Sequence, residues 1–144
     1  MEDVKRNLVV RGRRRRRGIA LVEMALVLPV LLLLTFGVIE FGWMFTTTSQ
    51  VTNAARNGVR LGVRPDSTSA DVEDAIASSL AAVGLAEGDY TVVIDPEEVD
   101  GLDPGTAITV TITVPYANVD LTGFPLPTPD NIVVSVTMVK EGPE

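Results

Sequence analysis

At 144 residues the chain has room for one small domain beside a membrane-committed segment, and too little for two. It contains no cysteine and no histidine, which excludes disulfides, thiolate metal sites, cysteine nucleophiles and any general base built on imidazole. The net charge of −7 is segregated: residues 1–17 hold eight basic side chains against two acidic (+6), and residues 19–144 hold four against seventeen (−13).

The basic cluster is Lys5, Arg6, Arg11, Arg13, Arg14, Arg15, Arg16 and Arg17, and it abuts an apolar run over 19–45 broken only by Glu23 and Glu40. Basic residues beside an apolar run orient it with the basic end in the cytoplasm, so the cluster reads as a topology signal and not as a nucleic-acid contact. The acidic remainder is then exported, to the periplasm or the cell exterior. As a helix the run would be ~40 Å long, enough for a hydrocarbon core of ~30 Å. No small-x-small site follows Phe45, so a conventional secretory signal is the poorer reading. Within the run, Pro29 removes a backbone donor and is expected to kink the helix, and Trp43 falls near the outer end, at headgroup level. Glu23 is the anomaly, because a carboxylate inside an apolar helix costs several kcal/mol unless it is paired or lies at the interface.

Gly18 ends the basic leader and Glu23 lies five positions later, which resembles a type IV prepilin processing site. The resemblance narrows to the TadE-like pseudopilins of tight-adherence (Tad, or Flp) pilus systems. It rests on Gly18, Ala20, Val22, Glu23, Pro29, Glu40, Phe41, Gly42, Ala54, Ala55, Arg56, Gly58 and Arg60, about a third of the chain. Ile19 departs from the aromatic first residue of the best-known pilins. What the resemblance implies is cleavage between Gly18 and Ile19 by a prepilin peptidase, subunit register set by Glu23 against a neighbouring amine, and partners among other pilin or pseudopilin subunits and the assembly platform.

Beyond the membrane, 46–64 has helical spacing and few breakers, and is expected to continue the helix until Pro65 stops it. Arg56, Arg60 and Arg64 recur every fourth residue, as either a solvated face or a docking strip for a partner's carboxylates. Thr68 and Asp71 loosely match a capping box ahead of a second helix. Its apolar stripe is Val72, Ala75, Ile76, Leu80 and Val83, and Gly84 is its stop. Three strands follow, at 90–95, 107–114 and 132–139. The middle one is the clearest, with Ile108, Val110, Ile112 and Val114 on one face.

The fold class expected is therefore α+β, with a long N-terminal membrane helix running into a small pilin-like domain whose second helix packs on a three-stranded antiparallel sheet. Its divisions are a leader over 1–18, a span over 19–45, a helical continuation over 46–64 and an exported head over 65–144. The acidic loop with Asp95, Glu97, Glu98, Asp100 and Asp103 lacks EF-hand spacing, so no metal is assigned to it. Phe124, Pro125, Leu126, Pro127 and Pro129 lie on a loop that alternating prolines hold extended, either an exposed contact loop or a stiff connector, the connector being the preferred reading. No nucleophile elbow or phosphate loop is present, so neither catalytic residues nor a cofactor are expected. The function expected is assembly of a tight-adherence type IV pilus as a minor pilin or pseudopilin. The alternative is an uncleaved single-span protein whose exported domain binds a ligand or a surface partner.

Overall fold

The structure, a computed structural model, describes residues 2–123 and 126–142, with side chains from Gly18 onward. The arginine side chains of the leader, together with Phe124 and Pro125 of the proline-rich connector, therefore lie outside the described residues. Helix α1 is Glu2–Gly62, α2 is Ser69–Ala81, and the strands are β1 Thr91–Asp95, β2 Ala107–Pro115 and β3 Asn131–Val139, with a 3-10 turn at Tyr116–Asn118 between β2 and β3. The expected α+β layout is present. By packing, the chain divides into Met1–Ile39 and Glu40–Glu144.

In the first unit every large apolar side chain from Ile19 to Ile39 is exposed. Leaving these fifteen side chains in water would forgo on the order of 20 kcal/mol or more, so this surface needs an apolar surround. Gly18–Gly62 is long and apolar enough to cross a membrane. Pro29 lies inside α1, which is helical on both sides of it.

From Glu40 onward α1 belongs to the head. Its threonine- and serine-rich stretch stays helical because the hydroxyls of Thr46, Thr48, Ser49 and Thr52 each donate to the carbonyl four residues back, at 2.7–3.0 Å. One face of this portion, with Val51, Ala54, Ala55 and Val59, is fully buried in the head's core. Helix α2 crosses it at the glycines: a Cβ at Gly58 would lie 2.5 Å from Ile76 Cγ1, and one at Gly62 would lie 3.0 Å from Val72 Cγ2. Small residues here let two backbones approach, and Val72, Ile76 and Leu80 fill the interface.

Helix α2 begins on a complete capping box, in which Thr68 accepts from the Asp71 N–H and Asp71 accepts from the Thr68 N–H. The same contacts, with the Thr68 hydroxyl, hold the Asp71 carboxyl below its usual range. It ends as expected at Gly84, whose φ of +88° suits glycine, while the Leu85 N–H returns to the Leu80 carbonyl. Val83 falls beyond the helix and is exposed.

The sheet has order β1-β2-β3, antiparallel throughout, with Val92 opposite Ile112 and Ile112 opposite Val134. Ile108, Val110, Ile112 and Val114 are completely buried, as their alternation predicts. On the outer face Thr109 bonds Thr137 and Thr111 bonds Ser135 across the strands, at 2.8 and 3.1 Å.

Candidate functional site

Gly18, Ile19 and Glu23 sit on an open stretch of α1. A Cβ at Gly18 would meet nothing within 4 Å, and Ile19 is 64% exposed. Glu23 is exposed too, and no hydrogen bond or ion pair engages it among the described residues. Among the described residues no partner for this carboxylate is present.

Glu40, by contrast, is buried to 1% exposure, and four donors converge on its carboxylate. The Tyr116 hydroxyl donates to Oε1 at 2.6 Å and the Leu121 N–H to the same oxygen at 3.3 Å. The Thr122 N–H and hydroxyl donate to Oε2 at 3.1 and 2.7 Å. A carboxylate that only accepts suits a site offering only donors. One turn on, the indole N–H of Trp43 donates to the Val119 carbonyl at 2.8 Å. Glu40 and Trp43 thus bind the segment after β2 to α1, across some eighty residues of sequence. Thr47, a further turn along, carries the sole buried side-chain polar atom without a partner among the described residues.

Burial, then the hydrogen bond to Glu40 and the nearby charges of Glu40 and Asp120, hold the Tyr116 phenol well above its usual range. A raised folded-state value means the phenol's stabilising contribution is complete below the unfolded value of about 10 and is lost only as pH climbs through the folded value. An alkaline titration followed by tyrosinate absorbance should therefore show Tyr116 un-ionised where free tyrosine is already half-ionised. Tyr90 is also raised, by burial and Glu87, so Tyr116→Phe identifies which signal is missing. Ordinary titration of both phenols would contradict the clamp.

The far end of the head's helix is closed by Lys140, 4% exposed. Its ammonium donates to the carbonyls of Gly62, Arg64 and Val99 at 3.1, 2.9 and 2.8 Å. Gly62 is the last residue of α1, so the cation meets carbonyls at the negative end of the helix dipole. The adjoining Glu141 N–H donates to the Val63 carbonyl at 2.9 Å.

Arg56, Arg60 and Arg64 are all exposed, and among the described residues none forms an ion pair. Among the described residues the basic strip on the acidic head is thus uncompensated. The acids of the 95–103 loop do not converge: among the described residues no group of three or more acidic side chains is placed to hold a metal.

The residues expected to matter thus fall in two separate places, the open 18–29 stretch and the arginine strip. The Glu40 clamp and the Lys140 closure lie outside those expectations. The signal for the first is a lone carboxylate ending an apolar run, and for the second a lysine isolated at the end of the last strand.

The family described as TadE-like protein matches residues 18–60. Comparison with curated proteins and with solved structures found no match. The matched segment starts at Gly18 and takes in Glu23, Pro29, Glu40, Gly58 and two of the three arginines. The likeness read from the motifs is thereby borne out over that segment. The geometry gives several of those motif residues a physical role. Glu40 clamps, Ala54, Ala55 and Gly58 are small where the core and α2 press on α1, and Arg56 and Arg60 face outward.

Proposed function

We propose, from the TadE-like segment at residues 18–60, that this chain is a membrane-anchored minor pilin or pseudopilin that takes part in assembly of a tight-adherence type IV pilus. The observation that carries the reading is the family match beginning at Gly18 with Glu23 five residues on, followed by an apolar helix exposed on every side. On this reading the N-terminus is cytoplasmic, the basic leader is removed by a prepilin peptidase between Gly18 and Ile19, and the head is exported. The 19–39 run holds the subunit in the inner membrane until neighbouring pilin helices replace lipid around it. Pro29 loosens the helix where packing has to adjust.

Glu23 supplies register. Its carboxylate has no partner among the described residues, and an amine freed at Ile19 of a neighbour is the complementary charge, worth far more in a low-dielectric bundle than in water. Arg56 and Arg60 lie ~6 Å apart along the helix, Arg64 follows just past its end, and together they offer carboxylates of another subunit or the assembly platform a matching strip. Glu23→Ala should leave membrane insertion and removal of the leader intact and abolish or strongly reduce pilus formation. Leader removal would be read by intact mass and pili by shear preparation. Normal piliation of the variant would discard the register role.

A further inference from the structure

Thr47 stands apart in its stretch of α1. The hydroxyls of Thr46, Thr48, Ser49 and Thr52 bond back along the helix, whereas that of Thr47, a residue only 3% exposed, has no partner among the described residues. A hydroxyl buried without a hydrogen bond is costly, so this position calls for a ligand. Thr47 lines a cavity of about 180 Å³ between α1 and the segment after β2. Its deep wall is Thr47, Leu85 and Val119, all buried, and its rim carries Trp43, Gln50 and Asp120.

What the cavity offers is acceptors. Asp120 Oδ1 accepts from the Thr122 and Gly123 N–H groups at 3.2 and 2.9 Å, and among the described residues Asp120 Oδ2 accepts nothing. Gln50 forms no hydrogen bond among those residues either. The Trp43 N–H is spent on Val119, which leaves the face of its ring. A carboxylate oxygen, an amide oxygen and a hydroxyl beside an indole suit a planar cation that both stacks and donates several N–H groups, which is a guanidinium.

From Gly18 onward the basic side chains are Arg56, Arg60, Arg64 and Lys140, and the Lys140 ammonium is already held by three carbonyls. The arginines are exposed and, among the described residues, unpaired. They cannot fill the cavity of their own chain. Thr47 and Arg60 are thirteen residues apart on α1, which sets them ~20 Å apart along its axis and about 140° apart around it.

We infer that the cavity receives an arginine of the 56–64 strip from a second copy of this chain, with the guanidinium against Trp43 and donating to Asp120, Gln50 and Thr47. The occupant is a second copy because strip and cavity are complementary in charge, belong to one sequence and lie out of each other's reach within it. Such a contact is heterologous, so every copy keeps one strip and one cavity for the next. The inference deepens the assembly reading by naming the partner of the strip, and rests on it.

Sedimentation velocity of the full-length chain in density-matched detergent tests the contact by complementation. A cavity variant combines Thr47→Val with Asp120→Asn, which keeps an oxygen for the Thr122 and Gly123 N–H groups. A second cavity variant, Gln50→Lys, sets a competing cation at the rim and leaves the deep wall untouched. A strip variant carries Arg56→Gln, Arg60→Gln and Arg64→Gln, and near-UV circular dichroism checks the fold of each. The expected result is wild type that grows past the dimer with concentration, variants that each associate at least tenfold more weakly alone, and a mixture of either cavity variant with the strip variant that stops at a one-to-one dimer. Cavity variants that associate like wild type, a mixture as monomeric as its components, or a wild type monomeric at every concentration reached overturns the inference. Intact mass of the same protein, recovered from membranes holding a prepilin peptidase, reports the underlying reading separately. A removed leader without complementation loses the contact alone, and a retained leader removes the assembly reading and the inference with it.

Discussion

Glu40→Ala should lower the stability of the head by about 3 kcal/mol or more, because it removes the acceptor on which four donors converge, the buried Tyr116 hydroxyl among them. The Tyr116 hydroxyl, the Leu121 N–H and the Thr122 N–H and hydroxyl all lose a partner in this change. For a domain of this size that amounts to a fall in Tm of about 10 °C or more. Glu40→Gln retains one acceptor oxygen but turns an amide toward donors, so it should fall between wild type and Glu40→Ala. The cause is tested by adding Tyr116→Phe to Glu40→Ala. That change deletes an orphaned donor, so the pair should cost less than the sum of the two single changes. Thermal unfolding of the full chain in detergent, followed by near-UV circular dichroism, reads every variant against wild type. Strict additivity, or a Glu40→Ala protein as stable as wild type, would mean that the four donors find water as readily as they find the carboxylate.

Lys140→Met should be of similar size, about 2–4 kcal/mol, although two effects oppose each other. Methionine fills nearly the same space and relieves the cost of burying an ammonium that has no carboxylate beside it among the described residues. Against this, three carbonyls, that of Gly62 at the end of α1 among them, lose their donor, and the helix dipole loses a cation at its negative end. The carbonyls should win because they converge from three positions on the one point that the Lys140 ammonium fills. Lys140→Arg should not rescue fully, since a planar fork cannot reproduce a point donor aimed at three acceptors. Denaturant unfolding of the two variants checks this, and an unchanged midpoint for Lys140→Met would show that the desolvation cost dominates.

Those two polar centres are what the sequence conceals. The strand 107–115 can be read from its alternation alone, since Ile108, Val110, Ile112 and Val114 face one way and the threonines the other. Thr68, Asp71 and Gly84 likewise mark the two ends of α2 by local chemistry. Local patterns carry local structure, and each of these contacts lies within a few residues. Glu40 and its partners are separated by 76–82 residues, and a carboxylate at the end of an apolar run looks the same whether it snorkels to water or is clamped by a tyrosine. Lys140 and the Gly62 carbonyl are 78 residues apart, and nothing in a lone lysine announces a burial site. Gly58 and Gly62 are visible as small residues at helical spacing, but that α2 presses on them requires its path. The arginine strip is legible as a pattern, and the structure adds that among the described residues no acid pairs with it.

The pilin reading also gives the Glu40 clamp a purpose. The clamp ties the helix portion of the head, from Glu40 onward, to the segment after β2, so the surface the head offers to another subunit keeps its shape. Loss of the clamp should therefore impair assembly even at temperatures where the variant head remains folded.

That the chain is a prepilin is tested most directly by the N-terminal residue and intact mass of the protein recovered from membranes with and without a prepilin peptidase. The expected result is a chain beginning at Ile19 when the peptidase is present and an intact arginine leader when it is absent. A leader retained in both cases would contradict the prepilin reading and leave an anchored, uncleaved protein with an exported binding domain as the better description.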